Sequence, residues 1–85
     1  YRIVAQLRLA GMLLDDKKYD EALARLPVDA PPAFAALVAD RRGDILLAQG
    51  KTDEARAAFK AAYDAMDPTL DYRRLVEAKL TALGG

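Results

Sequence analysis

The 85-residue chain has no cysteine, no histidine and no tryptophan, and its only aromatics are four Tyr and two Phe. Each absence removes a class of chemistry. Without cysteine there is no disulfide framework, no thiol nucleophile and no thiolate metal site. Without histidine, every mechanism that uses imidazole as its base is excluded, along with most zinc sites. Charge of either sign is not in excess: thirteen Lys and Arg balance thirteen Asp and Glu, with the signs interspersed. A nucleic-acid binder shows a basic surplus gathered on one face, so that class is set aside. No run approaches the roughly 18 apolar residues that a membrane span needs. The four prolines fall at three places, residues 27, 31–32 and 68, and leave long proline-free stretches between them.

What is present is 53% hydrophobic, dominated by Ala and Leu, which suffices for a core and favours helix over sheet. The chain also contains itself twice. Residues 8–24 return 33 positions later as residues 41–57, with eight of seventeen identical: Arg8/Arg41, Leu13/Leu46, Leu14/Leu47, Lys18/Lys51, Asp20/Asp53, Glu21/Glu54, Ala22/Ala55 and Ala24/Ala57. A period of this size marks a helical repeat array, in which each unit buries its apolar face only by stacking on a neighbour. Such arrays bind other chains and rarely do chemistry.

Periodicity and punctuation predict five helices. The first covers residues 1–14, with Ile3, Leu7, Ala10 and Leu14 on one face and the polar turn 15–18 after it. The second covers 19–26 and is stopped by Pro27; a loop through Pro31 and Pro32 follows. The third, 33–49, ends at Gly50, a natural left-handed terminator. Thr52 is expected to cap the fourth, 53–66, with Asp53 and Glu54 complementing its dipole. Asp67 is expected as the N-cap and Pro68 as the first residue of a fifth helix reaching about Leu83, with Gly84 and Gly85 ending it. The expected architecture is an all-α array of two hairpins, repeat one about 3–35 and repeat two about 36–67, with a capping helix about 68–83. Because the chain starts at Tyr1 inside a helical pattern, it reads as a fragment of a longer protein.

The small positions match the tetratricopeptide pattern: Gly43, Ala55, Phe59 and Ala62 in the second unit, and Leu9-Ala10, Leu13, Ala22 and Leu26 in the first. Gly43 opposite Ala55 would let the hairpin backbones nest. The strings Leu7-Arg8-Leu9-Ala10, Tyr19-Asp20-Glu21-Ala22-Leu23, Leu75-Val76-Glu77-Ala78-Lys79-Leu80 and above all residues 34–50 resemble the C-terminal part of the YfgM-like ancillary subunits of the Sec translocon. That resemblance implies a bacterial inner-membrane protein with an N-terminal anchor outside these residues and a periplasmic repeat domain. It further implies association with the Sec translocon, periplasmic chaperones or client chains, and no catalytic residues or cofactor.

In such hairpins the first helix of each unit lines a groove. The groove residues here are expected to be Val4, Leu7, Gly11, Leu14 and Asp15, then Leu37, Asp40, Asp44, Leu47 and Ala48. They form a mostly apolar trough with two carboxylates one turn apart, suited to apolar segments and biased to basic ones. The alternative is that Leu7, Leu37 and Leu47 are buried between repeats or beneath the rest of the parent protein. Asp40 and Asp44 read as a salt-bridged face neutralised by Arg41 and Arg42 rather than as a catalytic or metal pair. Arg8 and Arg41, at the same repeat position, are expected to pair with carboxylates of an adjoining helix. Asp15-Asp16 and Asp53-Glu54 lack the glycine and spaced oxygen ladder of a calcium loop, so no metal site is expected. The tyrosines are expected to pack with their hydroxyls in solvent. Tyr1, Ile3 and Val4 begin a face with no preceding repeat on it, which suggests a homodimer. A structural segment or cytosolic assembly scaffold without a client remains the alternative to a protein-interaction module. No nucleophile–base pair can be assembled, so an enzyme is not expected.

Overall fold

The computed structural model describes residues 2–84, so the roles expected of Tyr1 and Gly85 lie outside the described residues. Five helices are present: α1 Arg2–Asp15, α2 Tyr19–Arg25, α3 Pro32–Ala48, α4 Thr52–Ala65 and α5 Asp71–Ala82. Among the described residues there is no strand. α1 packs on α2 and α3 on α4 as two hairpins, α3 also packs on α1 and α2, and α5 packs on α4.

The repeat is most exact at the hairpin turns. After α1, Lys17 N–H donates to Leu14 O (2.9 Å) and Lys18 N–H to Leu13 O (2.8 Å). After α3, Gly50 N–H donates to Leu47 O (2.9 Å) and Lys51 N–H to Leu46 O (2.9 Å). This paired pattern closes a helix C-terminus and demands one left-handed residue. Gly50 meets the demand with φ of +81°, and Lys17, 33 positions earlier, is forced to +61° despite its side chain.

Three boundaries differ from the sequence reading. Pro32 is not outside the third helix but opens it, because its fixed φ suits a first turn whose N–H groups have no helical acceptor. Thr52 is the first residue of α4 rather than its cap; the turn at Gly50 places Lys51 at the cap position, where no side-chain bond forms. Asp67 does not cap the fifth helix at Pro68. Its carboxylate accepts from Thr69 N–H and Oγ1 (both 2.8 Å), and its carbonyl accepts from Leu70 N–H (3.0 Å), closing a separate turn. α5 therefore starts three residues later than expected.

Two apolar clusters form the core. Ala10, Ala22, Leu26, Val38 and Ile45 lie between the repeats; Ala36, Leu46, Ala55, Phe59, Ala62, Met66 and Val76 lie inside repeat two and beneath α5. Leu23 touches both clusters and links them. Gly43 is needed for close approach, but its neighbour is the ring of Phe59 rather than Ala55: a Cβ on Gly43 would fall 2.5 Å from two ring carbons. The corresponding pair in repeat one, Ala10 and Leu26, has a methyl on the first helix and a smaller side chain just past the end of α2.

Candidate partner-binding surface

The expected groove residues divide into three sets. Leu7 and Leu14 are half-buried and pack against the inter-repeat cluster, so they stabilise the fold. Gly11 lies under Arg41: a Cβ there would sit 3.1 Å from the guanidinium Nη1. Arg41 thus covers a glycine of the neighbouring repeat and, among the described residues, makes no ion pair. Val4, Leu37 and Leu47 stay open to solvent at 37%, 39% and 41% exposure, with Asp15 and Ala48 also exposed.

Asp40 and Asp44 form the third set, and α5 closes over them. Asp40 is only 2% exposed. It accepts hydrogen bonds from the Tyr72 hydroxyl and from Lys79 Nζ (3.0 Å). Lys79 Nζ also reaches Asp44 Oδ1 at 3.0 Å, so one ammonium bridges both carboxylates. The partner expected for the pair, Arg41 with Arg42, is replaced by Lys79, because α5 presents Tyr72, Val76 and Lys79 to this side. The Tyr72 hydroxyl is correspondingly engaged by Asp40, although the residue is 41% exposed; that of Tyr63 bonds Glu77 Oε2 (3.2 Å). By spacing Lys79 shares a helical face with Tyr72, Val76 and Leu80, and a lysine in an apolar stripe signals a buried counter-charge. Its partner was missed because the two groups lie 35 and 39 residues apart.

The electrostatics follow from this enclosure. Burial raises the Asp44 carboxyl above its ordinary range, opposed by the hydrogen bond from Lys79. Burial alone would lower the Lys79 ammonium, but its bonds to Asp44 and Asp40 outweigh it and the pKa rises. Burial, then the hydrogen bond to Asp40, pushes the Tyr72 phenol well above its usual value. The cluster fastens α5 to α3, with Lys79 Nζ held on one oxygen of each carboxylate. Among the described residues no group of three or more His, Cys, Asp or Glu is placed to hold a metal ion.

Across residues 1–85 the sequence matches the tetratricopeptide repeat-like domain family. The chain belongs to that family. Two relatives are similar to this tetratricopeptide repeat-like chain over nearly its whole length. The "Ancillary SecYEG translocon subunit" of Neisseria gonorrhoeae (strain ATCC 700825 / FA 1090) is 38% identical over 80 residues, 94% of this chain and 38% of the relative. The protein of the same name from Escherichia coli (strain K12) is 34% identical over 82 residues, 96% of this chain and 39% of the relative. The chain therefore spans about two fifths of the length of these relatives. The resemblance to ancillary translocon subunits is thus a homology. No solved structure matches the chain. Among the described residues no helix is long and apolar enough to cross a membrane.

Proposed function

We propose that this tetratricopeptide repeat-like chain is a non-catalytic protein-interaction module of a Sec translocon accessory protein. On this reading it faces the periplasm and reversibly holds apolar segments of partner or client chains. The observation that carries the capture surface is that Leu37 and Leu47 are left two-fifths exposed on α3, whose Ala36, Val38, Ile45 and Leu46 are buried in the two core clusters. Val4 occupies the position of Leu37 in repeat one and extends the surface. Apolar contact of this kind is non-directional, which suits varied segments. The homology to ancillary translocon subunits supports the choice of partner. Lys79 offsets one of the two charges of Asp40 and Asp44, which weakens any bias of the surface towards basic clients. Leu7 and Leu14 belong to the packing and not to the capture surface.

A photo-crosslinking residue placed at Leu37 or Leu47 of the membrane-bound parent protein tests this directly. Adducts with translocon subunits or emerging chains are expected from both positions and not from Val28, which is 93% exposed on the loop before α3. Equal labelling from Val28, or none from Leu37 and Leu47, overturns the reading. Leu37→Glu with Leu47→Glu should abolish capture and leave the helical circular dichroism intact, because neither side chain belongs to a core cluster.

A further inference from the structure

The polar cluster between α3 and α5 has one cation too few. Lys79 Nζ lies 3.0 Å from an oxygen of Asp40 and 3.0 Å from an oxygen of Asp44, so the two acids share one ammonium and feel each other directly. Tyr72 adds a hydrogen bond to Asp40 and no charge. α4 faces the cluster with an uncharged group, the Phe59 ring, whose centre is 5.3 Å from Lys79 Nζ. The remaining cation that acts on Asp44 is Arg41 of its own helix, but that guanidinium lies over Gly11 of α1 and pairs with neither acid. The excess charge falls on the more open acid. Asp40 accepts from both Tyr72 and Lys79, with 3% of its side chain exposed; Asp44 accepts from Lys79 alone among the described residues, with 27% exposed. Asp44 therefore keeps a carboxylate edge that a proton from solvent can reach while Lys79 stays on Oδ1.

We propose that this cluster is a proton-operated clamp: Asp44 takes up one proton, the cluster becomes neutral, and α5 closes more firmly on α3. Losing that proton as pH rises restores two like charges around one counter-ion in a partly enclosed site, which favours opening. α5 is the element that responds, because Val76 is its one fully buried side chain and its other hold on α3 is the cluster itself. Opening uncovers the side of Phe59, Ala62 and Met66 against which Val76 packs. Burial acts in the same direction, raising the Asp44 carboxyl above 3.8 although the bond from Lys79 opposes it. The folded chain thus holds this proton more tightly than the unfolded one. The contribution is fully present below pH 3.8 and is lost as pH rises through the folded value. None of this depends on capture of partner chains by Leu37 and Leu47.

Amide exchange of the chain at about pH 4.5 and about pH 7, each rate divided by its intrinsic rate, tests the clamp. Protection along α5 should be several-fold higher at the lower pH, and protection along α1, which contributes no group to the cluster, should change less. Asp44→Asn imitates the neutral acid and should make α5 protection nearly the same at both pH values. In the unaltered chain the Asp44 carboxyl carbon, followed by NMR, should titrate with a midpoint above 3.8, a readout that stands even where Asp44→Asn does not fold. Equal or greater α5 protection at the higher pH, a pH dependence that survives Asp44→Asn, or a midpoint at or below 3.8 overturns the proposal.

Discussion

Gly43 and Lys17 are the residues whose identity the geometry constrains most. A methyl at position 43 would fall within 2.9 Å of three carbons of the buried Phe59 ring. Gly43→Ala should destabilise the fold by about 1–3 kcal/mol, read from the urea midpoint, as overpacked cores do. Adding Phe59→Leu should recover part of that loss, because repeat one already packs Ala10 with Leu26. A double variant no better than the sum of its parts would refute the pairing. Lys17 carries a left-handed backbone with a full side chain. Lys17→Gly should stabilise by up to about 1 kcal/mol, which raises the thermal midpoint of a domain this size by about 4–8 °C. Gly50→Ala, at the equivalent turn, should do the reverse.

At the scale of the element, α5 decides most of what the surface of α3 can do. Only Val76 is fully buried on it, so its seat depends on Lys79 and Tyr72 reaching the carboxylates of α3. Lys79→Met leaves Asp40 enclosed without a counter-charge. The loss should be roughly 2–3 kcal/mol, below the 3–5 of a fully enclosed pair, since Lys79 keeps 24% of its side chain in water. Combining it with Asp40→Asn should recover most of the loss. The raised values of Tyr72 and Lys79 fix the sign of the alkaline response. The folded state keeps both protons longer than the unfolded chain, whose groups titrate near 10.0 and 10.5. Stability is therefore fully present below pH 10 and falls as pH rises above it. Urea midpoints should hold steady from neutral pH up to about pH 10, drop above it, and drop less in Tyr72→Phe; equal slopes would show that the hydroxyl does not contribute.

For the whole molecule, two clusters joined through Leu23 should unfold as one unit. Leu23 packs against both, so Leu23→Ala should uncouple the repeats as well as weaken them. Amide exchange should then quicken in α1 and α2 before α3 and α4, whereas uniform acceleration would show that coupling runs elsewhere. The copy at a 33-residue offset makes the two-hairpin array legible in the sequence, because a duplicated apolar pattern admits few arrangements other than stacking. The surface was less legible. Leu7 and Leu37 occupy neighbouring register positions on successive first helices, yet one is half-buried and the other open. Periodicity gives the face of a helix but not which neighbour covers it.

The amino-acid order alone determined helices, their hairpin pairing, the left-handed stop at Gly50 and the kinship with ancillary translocon subunits, since these depend on local spacing and repeated strings. Only tertiary structure decided that Asp40 and Asp44 are held by Lys79 and Tyr72, that Gly43 serves Phe59, and that Arg41 roofs Gly11. Those contacts join residues 16 to 39 positions apart on different helices. Their distances are set by how whole helices stack, a quantity no local pattern encodes.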